Sequence, residues 1–151
     1  MSLQIVERPA ISVVGLHIVT KPMSPDIPAL WPKFVPRIDE IPNSAEPNVS
    51  YGMMWHEPGS MTVLNYMAAV SVAGPGAVPT GMTRLDVPAA TYLSAKYPLA
   101  GLSKGFGEIF ERLLPASGYT QVPGPYFERY DEKFDPRNPG SLVEICLPVR
   151  R

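Results

Sequence analysis

Cysteine is nearly absent. Cys146 is the only one in 151 residues, so no disulfide can close within the chain. Histidine is scarce too: His17 and His56 stand far apart, and no Cys/His spacing of the zinc-binding kind occurs. No metal is expected. Neither sign of charge dominates, since 13 Lys and Arg face 14 Asp and Glu for a net charge of -1. That argues against a strongly basic nucleic-acid binder. No apolar run is long enough to span a bilayer, because the most apolar stretch, residues 67–79, is short and broken by Gly and Pro. The opening Met1-Ser-Leu-Gln-Ile-Val-Glu-Arg-Pro has no basic segment leading into an apolar one, so no signal peptide is expected. A reducing, cytoplasmic setting is the expectation. Gly-x-Ser-x-Gly is missing, and Gly74-Pro-Gly76 and Gly105-Phe-Gly107 do not continue into a phosphate-loop fingerprint. No catalytic residue and no cofactor is assigned.

What is present is a well-stocked core and much proline. Apolar residues make up 45% and charged residues 18%, enough for one folded domain over residues 1–151. The 19 prolines are spread along the chain, which speaks against a single linker. Two halves, about 1–75 and 80–151, share one grammar. Val6-Glu-Arg-Pro-Ala-Ile resembles Leu85-Asp-Val-Pro-Ala-Ala, with Pro9 and Pro88 in register. Each is followed by a β-rich run, residues 11–19 and 91–97, and then by a helical stripe. The first stripe is Ile27, Leu30, Trp31, Phe34, Val35 and Ile38; the second is Leu102, Phe106, Ile109, Phe110, Leu113 and Leu114. Ser24 is placed to cap the first helix, with Pro25 at its first position. Pro32 and Pro36 predict that it kinks or frays after Trp31. The second carries Lys104, Glu108 and Arg112 at four-residue steps and ends at Gly118.

A hairpin follows each helix. The first runs from Tyr51 to His56, turns at Glu57-Pro-Gly-Ser and returns over residues 61–72. The second runs over residues 126–134, turns at Asp135-Pro-Arg-Asn-Pro-Gly and returns over residues 141–149. The repeat aligns Asn65 with Glu144. The predicted fold is α+β, with two βαββ modules that superpose on one another.

Two signals bear on function. Glu144 lies in the very apolar Leu142-Val-Glu-Ile-Cys-Leu-Pro-Val149, and glutamate is depleted in strands and seldom buried without a partner. Aromatic residues populate the predicted strands and helices: Trp31, Tyr51, Trp55, Tyr66, Tyr92, Phe106 and Tyr126. Aromatic faces with one carboxylate suit an organic cation, the rings giving cation–π attraction and the carboxylate the counter-charge.

The doubled βαββ order resembles the GyrI-like small-molecule-binding domain, which is also the effector-binding half of AraC- and MerR-type regulators. The residues that carry this are Tyr126-Phe-Glu-Arg-Tyr-Asp-Glu-Lys-Phe-Asp-Pro136, the ending Val143-Glu-Ile-Cys-Leu-Pro-Val149, Tyr51-Gly and Trp31. The resemblance implies duplicated βαββ modules with pseudo-twofold symmetry, an antiparallel sheet with two helices over a central groove, and a groove that binds hydrophobic cations, with Glu144 as counter-ion and the seven aromatic residues as walls. It leaves two other roles open. One is hydrolysis of reactive cyclopropane-bearing compounds, with Glu144 activating water or protonating substrate; a second acid–base group would then come from Glu57, which falls in a turn, or Glu128, which falls on the outward side. The other is a protein-interaction module of the gyrase-inhibitor kind, with a protein partner or a second copy. The leading expectation is a binding domain for amphipathic, cationic small molecules, with no direct DNA binding and no membrane association.

Overall fold

The computed structural model describes residues 3–57, 59–60 and 62–151. Pro58 and Met61 of the expected first turn, like Met1 and Ser2, lie outside the described residues. The first half contains β1 (Leu3–Arg8), β2 (Ile11–Thr20), α1 (Asp26–Phe34), β3 (Ser50–His56) and β4 (Leu64–Val72). The second contains β5 (Thr83–Val87), β6 (Ala90–Pro98), α2 (Leu102–Glu108), α3 (Leu114–Ser117), β7 (Thr120–Gln121), β8 (Tyr126–Tyr130) and β9 (Leu142–Arg150). Among the described residues, no helix is long and apolar enough to cross a membrane.

All strand pairs are antiparallel, and the ladder runs β1-β6-β9-β8-β3-β4-β2-β5, with β7 on β9. Read from its centre, where Met53 faces Phe127, the two directions match strand for strand. The pseudo-twofold fold expected from the resemblance is therefore present, with one addition: each half opens with an extra strand that pairs in the other half. β1 lies on β6, and β5 lies on β2.

That exchange dictates the shape. On a flat sheet β1 and β2, six places apart, would be separated by about 29 Å at roughly 4.8 Å per strand. Only Pro9 and Ala10 join them, a reach of about 11 Å. The sheet must curl until its ends meet. Residues 3–20 and 83–98 act as two long bent strands that pair along both arms, Arg8 with Ala90 and Ile11 with Val87. Pro9 and Pro88 sit at the bends, where a residue with no N–H interrupts the ladder at no loss.

Register also corrects the repeat. With Pro9 and Pro88 equivalent, Gly15 corresponds to Ser94; Gly15 pairs with Ala69 and Ser94 with Cys146. Met67, not Asn65, is therefore the counterpart of Glu144. The segments that connect the strands differ in length between the halves, and together the differences shift the last strand by two residues.

The curled sheet has two apolar faces. The helices cover one, where Leu30, Phe34 and Ile109 pack on Tyr66, Leu93, Tyr97 and Ile145. The other carries its own core of Val13, Met53, Met67, Tyr92, Phe127 and Cys146. α1 stays regular through Phe34 with Pro32 inside, then tightens into a 3-10 segment, Val35–Glu40, that Pro36 opens. The break thus comes three residues later than expected. Ser24 Oγ accepts the backbone N–H of Asp26 at the helix start. α2 and α3 are joined by one π-helical segment, Ile109–Leu113, and Gly118 ends the run in the left-handed conformation at φ 79°. Glu108 pairs with Arg112 at 3.0 Å.

Candidate functional site

The two helices leave a groove of about 500 Å³ between them over the sheet. Ile27 and Pro28 of α1 form one wall, and Phe106 and Phe110 of the second helical run form the other. The floor comes from Met54, Leu64, Tyr66, Tyr126 and Glu128. Strand alternation explains the floor: Tyr126, Glu128 and Tyr130 share one face of β8, and Phe127 and Arg129 share the other.

Glu128 is only 6% exposed and is the one charged side chain among the described residues that line this groove. Tyr66 Oη donates to its Oε1 at 2.8 Å, and Tyr130 Oη donates to the same oxygen at 2.7 Å. Trp31 Nε1–H in turn donates to Tyr66 Oη at 3.0 Å, and the Trp31 ring meets that of Tyr130 edge to face at 5.3 Å. Room for this cluster comes from Gly52 on β3. A Cβ there would overlap both Tyr66 Oη and Glu128 Oε1.

Burial pushes the Glu128 carboxyl above its ordinary value, and the two phenol hydrogen bonds oppose that only in part. Tyr126 is pushed up to about 12 by burial and by the nearby Glu128 charge. The groove thus presents a carboxylate held by neutral donors, with no cation of the protein bonded to it among the described residues. Aromatic rings surround it.

Sequence reasoning placed the residues of the site unevenly. Tyr66, Phe106 and Tyr126 line the groove, and Trp31 reaches it through Tyr66. Glu144, Tyr51, Trp55 and Tyr92 lie on the opposite, helix-free face. Glu144 cannot serve the groove, because Leu142, Glu144 and Cys146 point away from the helices while Val143, Ile145 and Leu147 point toward them. Its carboxylate takes Arg8 Nη2 at 2.8 Å on both oxygens, and the Ser94 hydroxyl. Burial would raise its pKa; Ser94 and Arg8 outweigh that and hold it below the usual carboxylate range. Tyr51 Oη donates to Glu46 Oε1 at 2.6 Å, and Trp55 stacks on His17 at 5.0 Å. Glu57 accepts from Asn65 Nδ2 at 3.1 Å, and Glu128 lies on the opposite face of the sheet from Glu144.

Glu128 is the residue that the sequence reading set aside as outward-facing; it is buried instead. A signal for it exists in Tyr126-x-Glu-x-Tyr130, which sets a carboxylate between two phenols on one strand face.

Residues 1–150 match the sequence profile of the GyrI-like small molecule binding domain. The chain belongs to this GyrI-like family. Over 152 residues the GyrI-like chain is 36% identical to the transcriptional regulator BrlR of Pseudomonas aeruginosa, covering 99% of itself and 56% of that protein. It thus spans little more than half of this relative. Among solved structures its fold is similar to SAV2435 bound to tetraphenylphosphonium, with TM-score 0.77, 16% identity and coverage of 99% and 94% of the two chains. The EcmrR C-terminal domain is similar at TM-score 0.72 and 13% identity, with coverage of 99% and 98%. At these identities the likeness establishes the antiparallel α+β fold, and the family match establishes a small-molecule-binding domain.

Proposed function

We propose that the groove between the helices binds amphipathic organic cations, with Glu128 as counter-ion and Tyr66, Phe106, Phe110 and Tyr126 as the stacking surface. One observation carries the reading: a buried carboxylate that faces an aromatic groove and bonds only to neutral donors. Such a group either keeps a proton or accepts a cation from outside. A hydrophobic cation supplies the missing charge without desolvating a protein ammonium, and aromatic faces attract it further. The similarity to a protein whose structure is bound to a phosphonium cation supports the same chemistry. Where this domain forms part of a longer regulator, like the relative above, occupancy of the groove is the signal passed on.

The test is a titration with tetraphenylphosphonium and with neutral tetraphenylmethane-type analogues of similar size. Glu128→Gln keeps the shape and an acceptor oxygen but removes the charge. It is expected to weaken the cation by about tenfold to a hundredfold, the scale of a charge-assisted contact, and to leave the neutral analogue nearly unchanged. Cation affinity of the wild type should fall as pH drops through the raised Glu128 value, because the proton competes for the same oxygen pair. Equal losses for cation and neutral analogue would refute the counter-ion role.

A further inference from the structure

The helix-free face holds a second, larger cavity, of about 660 Å³, where the bends at Arg8–Ser12 and Asp86–Pro88 come together. The sheet separates it from the cation groove. Its inner wall is aromatic: Tyr51 and Tyr92 each meet Phe127 edge to face, at 5.4 and 5.2 Å between ring centres. We propose that this cavity is a separate binding site for an uncharged aromatic ligand that carries a carbonyl oxygen.

The polar groups around the cavity define that chemistry. Every carboxylate is already supplied with donors. Glu46 accepts from Tyr51 Oη, Ser71 Oγ and Arg129 Nη2. Asp86 accepts from Ser12 Oγ and Arg84 Nε. Glu144, behind Arg8, accepts from Arg8 and Ser94. The capacity left over is on the donor side. Arg8 Nε is fully buried with no partner. The Tyr92 hydroxyl, at the cavity wall, makes no side-chain hydrogen bond among the described residues. Burial raises the Tyr92 pKa, with no hydrogen bond to offset it.

One buried unpaired donor and one uncommitted hydroxyl at an aromatic wall favour an acceptor on a flat, apolar body. The charge pattern settles which acceptor. Arg8, Arg84 and Arg129 each already hold a carboxylate. An organic anion would enter a mostly apolar site beside three carboxylates without an uncommitted cation to meet it. A cation would find only carboxylates that each already hold at least two donors. A ketone, lactone or amide oxygen satisfies Arg8 Nε–H and Tyr92 Oη–H while bringing no charge to desolvate.

The probes are 7-methoxycoumarin, which has a lactone carbonyl, and 2-methoxynaphthalene, which matches its rings without one. Both are titrated by fluorescence against the whole chain and four variants. The coumarin is expected to bind more tightly than the naphthalene. Tyr92→Phe removes a single oxygen that no protein group uses, so the fold is kept; Arg8→Lys keeps the charge beside Glu144 and removes the Nε donor. Each should weaken the coumarin by about three- to tenfold, the worth of one hydrogen bond, and leave the naphthalene unchanged. Ala10→Trp, an exposed position at the cavity rim, should weaken both compounds. Glu128→Gln should affect neither, so failure of the cation reading and failure of this one show up in different titrations. No coumarin binding, equal losses of both probes in Tyr92→Phe, or a loss in Glu128→Gln in place of Tyr92→Phe would each overturn the proposal.

Discussion

Glu128 and Glu144 are close neighbours in the ladder with opposite situations. Arg129 pairs with Glu144, and Glu128 pairs with Ile145, so a single residue step separates the two carboxylates across the sheet. On the helix-free face Glu144 has a permanent cation of the chain itself, and its pKa is held down. On the helix-covered face Glu128 has only phenols, and burial pushes its pKa up. The contrast teaches what distinguishes a structural carboxylate from a receptive one. Both are largely buried in strands. What differs is whether the chain has already provided the counter-charge.

The comparison breaks most completely at Gly52. A methyl group there meets Tyr66 Oη and Glu128 Oε1 together, and neither can retreat into solvent. Gly52→Ala should destabilise the domain by about 1–3 kcal/mol, as overpacking does, and should also abolish the phosphonium response. Thermal unfolding and the titration described above check both. A variant with unchanged stability and affinity would mean that the cluster is looser than these contacts indicate.

Glu144→Gln sharpens the contrast from the other side. It leaves the Arg8 guanidinium without its carboxylate, at a pair whose side chains are 29% and 13% exposed. The expected loss is about 1–2 kcal/mol, below the figure for a fully buried pair. Because the folded pKa of Glu144 is depressed, its contribution is present above the ordinary carboxylate range and vanishes as pH falls through the depressed value. The variant should therefore approach wild-type stability in strong acid while keeping full cation affinity. A drop in cation affinity would return Glu144 to the groove's account.

The smallest effect is expected in the stability of Glu128→Gln. Here the folded pKa is raised, so the wild type loses stability as pH climbs from the ordinary carboxylate range to the folded value. The amide has no such loss. In the absence of ligand the variant should be the more stable form at neutral pH, by about 1 kcal/mol or less, and the difference should close on acidification. A variant less stable than the wild type at every pH would show that the phenols hold the carboxylate better than burial penalises it.

Alternation and helical spacing in the sequence carried most of the element order, the antiparallel α+β architecture, the Ser24 start of α1 and the Gly118 end of the second helical run. β1 and β5 were not recognised as strands. Both are ladder edges, and Leu3 and Ile5 are 37% and 40% exposed, so burial imposes no clean two-residue pattern there. The site was half legible for a related reason. Strand alternation says that Glu144 and Val143 face opposite ways, but not which way the helices lie. That choice rests on contacts between residues far apart in sequence, such as Phe34 and Ile109 on Tyr66, Leu93 and Ile145. The hydrophobicity around Glu144 marked a buried carboxylate correctly and said nothing of Arg8, 136 residues away, which answers it.

The crossed edge strands also have a mechanical consequence. Two modules joined only by the β3–β8 pairing and by a loop, residues 73–82, could hinge about that seam. Here each module is latched by the other's first strand: Leu3–Arg8 is zipped to β6, and Thr83–Val87 to β2. Clamshell opening would have to unzip both ladders at once. Any change in the width of the groove would then have to come from the roof and not from the base. The roof is where the chain departs from regular α-helix, in the proline-broken end of α1 and in the π-helical segment that joins α2 to α3.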